Sequence, residues 1–134
     1  MTRDLTRTKF LSALAGLGLL AGCGNDATAP RFQPEVTNLA NSFGFQVTGL
    51  DGVTDNVEYT WRNDGTVANV NQSPSGLSGT VSLIILDAAG TQVYSRSLTD
   101  NGTFVTTAGT AGNWKVRVQF SAARGSVNFT LQRP

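Results

Sequence analysis

Catalysis and ligand binding draw on nucleophiles, titratable groups and metal ligands, and this chain holds few of them. It has no histidine and one cysteine, Cys23. Without histidine it lacks the side chain that most often moves protons near neutral pH, and the commonest ligand of zinc and copper. Asp, Glu, Lys and Tyr are left as acids and bases. Lys115 is the one lysine beyond residue 22, and no serine motif stands near it, so a Ser-Lys dyad lacks its second member. Asp51, Asp55, Asp64, Asp87 and Asp100 fall at turns, where carboxylate oxygens could hold Ca²⁺. Their spacing follows no EF-hand loop, and Asp is also the residue whose side chain caps a turn's backbone. The expectation is a protein without enzymatic activity, with no catalytic residue, metal site or cofactor. The thiol of Cys23 is then the strongest nucleophile available.

The surroundings of Cys23 give it a role. Arg3, Arg7 and Lys9 precede an uncharged run from Phe10 to Leu20, in the order of the basic and apolar regions of a secretory signal. A stable membrane span needs roughly 20 apolar residues, so this run fits transient insertion followed by cleavage. Leu20-Ala21-Gly22-Cys23 then resembles the lipobox of bacterial lipoproteins. The resemblance implies cleavage before Cys23, with Leu20, Ala21 and Gly22 read by the signal peptidase and the thiol accepting a diacylglyceryl group. Two or more acyl chains, at about 0.8 kcal/mol per buried methylene, make such an anchor effectively permanent. Gly24 stands where an inner-membrane retention signal would carry Asp, which favours the outer membrane in a diderm cell. Thr6-Arg7-Thr8-Lys9-Phe10-Leu11 lacks the paired arginines of the twin-arginine box, which favours the general secretory route.

The elements that must carry any further chemistry lie beyond the anchor. Residues 1–22 are expected to be the signal peptide, 23–35 the lipidated N-terminus and linker, and 36–134 a single domain. Gly24 to Pro34 is small and polar with two prolines, a tether that could extend roughly 35 Å. Seven basic and eight acidic residues remain past residue 22, so the mature surface is nearly neutral and nucleic acid is not an expected partner. With no second cysteine the domain must be held by core packing and sheet hydrogen bonds. From Val36 onward, short runs of Val, Thr, Phe, Ile and Tyr alternate with Asp-Gly, Ala-Gly, Asn-Gly and Arg-Gly pairs. This predicts an all-β fold, a single antiparallel β-sandwich of jelly-roll or Ig-like type with about eight strands. The strands are placed near 43–50, 56–63, 66–71, 79–87, 91–98, 102–107, 113–121 and 126–132. Trp114, Val116, Val118 and Phe120 alternate with polar residues, as do Val127, Phe129 and Leu131, and the turn-like Ala122-Ala123-Arg124-Gly125 between them predicts a hairpin. Val81 to Leu86 is apolar on both faces, which predicts a central strand with its second face covered by a loop or a partner. Asp87-Ala88-Ala89-Gly90 predicts a tight turn into the next strand.

The order of an apolar strand from Val81 to Leu86, the Asp87-Ala88-Ala89-Gly90 turn, Thr91 to Tyr94, and the glycine-led Gly112-Asn113-Trp114-Lys115-Val116 resembles the pre-peptidase C-terminal domain. That resemblance, over residues 43–132, implies a jelly-roll-like sandwich that usually accompanies a secreted enzyme.

Among the aromatics, Tyr59, Trp61 and Trp114 share the alternating face of Val57, Val116 and Val118, so they are expected in the core rather than on a sugar-stacking platform. Tyr94 shares a face with Gln92 and Arg96, which predicts an exposed aromatic that could meet a ligand or partner. An edge-strand tyrosine with no ligand fits the same pattern. The functional expectation is an envelope lipoprotein whose sandwich binds an envelope protein or supports structure. The alternative is a carbohydrate-binding module or an accessory domain of a secreted enzyme.

Overall fold

The computed structural model describes residues 33–134, which form seven antiparallel strands and, among the described residues, no helix. They are β1 (Glu35–Leu39), β2 (Ser42–Asn63), β3 (Asn69–Gln72), β4 (Ser75–Leu86), β5 (Gln92–Ser97), β6 (Gly102–Val105) and β7 (Gly112–Gln132). β2 and β7 pair along their whole lengths, from Ser42 opposite Gln132 to Asn63 opposite Gly112, with register shifts between Val47 and Asp55. At those shifts the pair folds over. Phe43 and Tyr59 sit on one strand, and a straight strand at about 3.3 Å per residue would hold them roughly 50 Å apart. Their ring centroids are 5.6 Å apart. Both long strands therefore run through two layers.

The first layer is β1, the first half of β2, the second half of β7, β3 and β6, in that order. The second is the last half of β2, the first half of β7, β4 and β5. Alternation of side chains puts Phe43, Phe45, Val70, Phe129 and Leu131 of one layer against Trp61, Leu83, Ile85, Trp114 and Val118 of the other, all buried. Phe45 stacks on Phe129 at 5.2 Å, and Trp61 meets Trp114 edge-on at 6.0 Å and 88°. Each buried indole donates its N–H to a carbonyl, Trp61 to Leu39 and Trp114 to Thr110, so neither leaves a polar group unsatisfied.

Sequence and structure agree on the all-β sandwich and on the turn after β4. There the Asp87 N–H bonds the Thr91 carbonyl at 2.8 Å, and Gly90 takes φ 85°. The strand list differs. Residues 113–121 and 126–132 form no hairpin but one bent strand, whose halves both pair with β2. Ala122 at φ 50° and Gly125 at φ 104° bend and shift the strand instead of reversing it. A Cβ on Gly125 would overlap the backbone of Gly76 on β4, and one on Gly79 would overlap Ala122, so the corner closes backbone against backbone. The two strands expected at 43–50 and 56–63 fuse in the same way. β1 has no buried residue and hence no alternation to reveal it. Val81 to Leu86 is central as expected, between β5 and β7. Its second face is the outer face of the second layer. Ile84 and Leu86 are half-buried there, opposite Arg117 and Lys115, whose aliphatic stems can shield them.

Candidate binding surface

The expected processing residues, Leu20, Ala21, Gly22 and Cys23, and the signal segment 1–22 lie outside the described residues. The aromatic candidates are described. Trp61 and Trp114 are fully buried, as expected, and Tyr59 is half-buried beside Phe43 and Phe45, where burial raises its phenol pKa. Tyr94 is a correction. It was expected on the wet face with Gln92 and Arg96, but it is buried, 8% exposed, next to buried Val93. A register shift between Ile85 and Leu86 breaks the alternation of the β4–β5 pair, so two successive β5 residues turn inward. Its hydroxyl donates to Gln72 Oε1 at 2.7 Å, and Gln72 Nε2 donates to the carbonyls of Asp100 at 2.7 Å and Ser97 at 3.0 Å. Gln72 lies on the first layer and Tyr94 on the second, so this pair joins them along one side. Desolvation raises the Tyr94 pKa, partly offset by Arg96.

The turn carboxylates go to local partners. Asp87 is buried and accepts from the backbone N–H of Ala89 (2.9 Å) and Thr91 (2.8 Å) through Oδ1 and of Thr110 (2.9 Å) through Oδ2. Those donors, Thr110 and Thr91 foremost, hold its pKa below the usual carboxylate value. It fastens the β4–β5 turn to the loop before β7. Asp64 faces Arg62 and Asn41, which lower its pKa; Asp51 pairs with Arg124; Asp100 pairs with Arg96; and Asp55 accepts from the Asn56 N–H at 2.8 Å. Among the described residues no three Asp, Glu, His or Cys side chains converge as a metal site would require. Lys115 lies on the outer face of the second layer, 2.9 Å from Thr60 Oγ1 and 4.0 Å from Glu58, which also pairs with Arg117 at 3.2 Å.

The two outer faces differ in kind. Rows across the second layer mix charge with apolar surface, as in Glu58, Arg117, Ile84 and Ser95, and a depression of about 310 Å³ lies beside Asn56, Glu58, Arg117 and Gln119. Across the first layer one row reads Thr37, Gly44, Thr130, Asn71, Thr103 and its neighbour Leu39, Ser42, Gln132, Asn69, Val105. Gln46 and Asn128 pair in a third row that ends at Glu35, the one charged strand residue on this face among the described residues. A depression of about 160 Å³ lies over Gly44, between Thr37 and Thr130 and reaching Glu35, Gln46 and Asn128. Leu39 and Val105, 61% and 60% exposed, stand at the two ends of one row. No sequence candidate fell on this face. Its signal was the repeated Asn in strand-like segments, at Asn69, Asn71 and Asn128.

No family model matches this chain, and no curated protein matches it. Among solved structures, one titled "Structure of infectious bursal disease virus Gt strain" is similar over 80% of this chain at 16% identity, with a TM-score of 0.28. This chain spans about a third of the length of that one, 35% of it.

Proposed function

We propose that the chain is a bacterial lipoprotein that displays a non-catalytic β-sandwich at the cell envelope, as a binding module on an N-terminal lipid. The observation that carries this is the order of basic segment, uncharged run and Leu20-Ala21-Gly22-Cys23. The domain fits the role: Glu58, Arg117, Asp51 and Arg124 form surface ion pairs, and Asp87 holds backbone N–H groups together. The resemblance to pre-peptidase C-terminal modules supports an accessory role of the same kind. Gly24 after the lipidated cysteine favours the outer membrane over the inner one in a diderm cell.

Labelling of growing cells with an alkyne analogue of palmitate tests the anchor. The expected result is a labelled band in the membrane fraction that disappears in Cys23→Ser. Labelling that survives Cys23→Ser, or a wild-type protein found only in the soluble fraction, overturns the reading.

A further inference from the structure

Water alone does not account for the composition of the first layer's outer face. Strands favour β-branched and aromatic residues, Thr among the polar ones, and Asn is among the residues they most disfavour. Here Asn69, Asn71 and Asn128 occupy exposed or half-exposed strand positions, with Gln46 and Gln132 beside them. None of these five amide side chains has a hydrogen-bond partner within the described residues. The charges are elsewhere: the five described ion pairs lie on the second layer, at the corner or in turns. A departure from local preference without a gain in packing marks a chemical use.

We propose that this face, centred on the depression over Gly44, binds an uncharged, hydroxyl-rich polysaccharide. Sugar hydroxyls each donate and accept, and a carboxamide or a threonine hydroxyl offers both functions in return. A neutral polymer brings no charge that would need a partner, and Glu35, the one carboxylate lining the depression, can accept from a sugar hydroxyl while it repels an anionic polymer. Gly44 leaves its backbone bare between the Thr37 and Thr130 side chains, so a ring can settle onto Cα and methyl surface while the amides of Gln46 and Asn128, and of Asn71 on the strand beside Thr130, reach its rim. Antiparallel strands hold these groups in fixed rows, and the ligand meets a platform already formed. The inference rests on the binding-module reading and adds its face and its ligand class.

The test uses the full chain, processed by the cell and purified from membranes in detergent. It is run through native gels containing glucomannan, hydroxyethylcellulose or soluble starch, with alginate and polygalacturonate as anionic comparisons. At least one neutral polymer is expected to retard the protein, by an amount that stays constant between about 50 and 500 mM salt, where screening would abolish surface charge attraction. Asn71→Ala with Asn128→Ala should weaken binding about tenfold, as loss of two hydrogen bonds predicts. Gly44→Gln should block it in a folded protein, because a Cβ there meets only Thr37 at 3.8 Å and Thr130 at 4.0 Å. Arg117→Gln, on the opposite face, should change nothing. No retardation by any neutral polymer, retardation that salt removes, or retardation unmoved by both face variants overturns the inference. A photo-crosslinker at Thr130 that captures a protein in cells also overturns it, while leaving the binding-module reading standing. Loss of palmitate labelling with intact glycan binding does the reverse.

Discussion

Asp87 and Tyr94 show how one side chain can bind distant segments together. The folded state holds the Asp87 carboxylate in its charged form through backbone donors, so its pKa lies below the unfolded value of about 3.9. A depressed folded pKa gives stability that is present above the unfolded pKa and lost as pH falls through the folded one. Thermal melting should therefore drop as pH falls below about 4. Asp87→Asn should melt lower than wild type at pH 7 and lose less on acidification, since an amide nitrogen opposes the Thr110 N–H at every pH. A wild-type melting temperature that is flat down to pH 2.5, or an equal acid loss in Asp87→Asn, would contradict this; Asp64, also lowered, sets the loss common to both. Tyr94→Phe leaves the Oε1 of fully buried Gln72 without its donor. The expected loss is about 1–3 kcal/mol by urea unfolding, the penalty for an orphaned buried acceptor. The sequence showed Asp87 as a turn residue because turn chemistry is local. It misplaced Tyr94 because the register shift at Ile85 depends on how β4 and β5 meet, and no residue within β5 announces it.

At the scale of the strand, the corner of the β2–β7 pair is the decisive element. Alternation within each half was legible, and it placed Trp61, Trp114, Phe120 and Phe129 on the buried face. What connects the halves was not, because a positive φ at glycine or alanine serves a bend and a reversal equally, and only pairing with β2 selects the bend. Two substitutions separate these effects. Gly125→Ala puts a methyl against the Gly76 backbone on β4 at φ 104°, and is expected to cost more than about 2 kcal/mol. Ala122→Gly should be neutral or stabilise by up to about 1 kcal/mol, because alanine already holds φ 50° at a steric cost that glycine avoids. Urea midpoints of the two variants measure both. A corner that tolerates Gly125→Ala would mean the layers are not closed backbone against backbone there. The polar rows escaped the sequence reading for a related reason. Asn69, Asn71 and Asn128 become neighbours only when β3 pairs with the second half of β7.

In the whole molecule the last strand is also the central one. β7 pairs with β2, β3 and β4, so both layers depend on residues 112–132, and Ser42 finds its partner only at Gln132. Earlier segments can form the β4–β5 and β1–β2 hairpins, but two-stranded hairpins are marginal in water. Neither sheet can close before β7 is present. Long-range pairing of this kind places folding in the millisecond-to-second range. A chain ending at Ser121 keeps Trp61, Trp114 and every residue of β4, but loses the Val127, Phe129 and Leu131 wall of the core. It should be unfolded, with tryptophan emission near that of a solvent-exposed indole and no cooperative urea transition. The full chain should show blue-shifted emission from its two buried tryptophans, and a single transition on which fluorescence and far-UV circular dichroism coincide. A truncated chain that melts cooperatively would show that the second layer folds by itself, and that the bent pair joins two independent units instead of creating one.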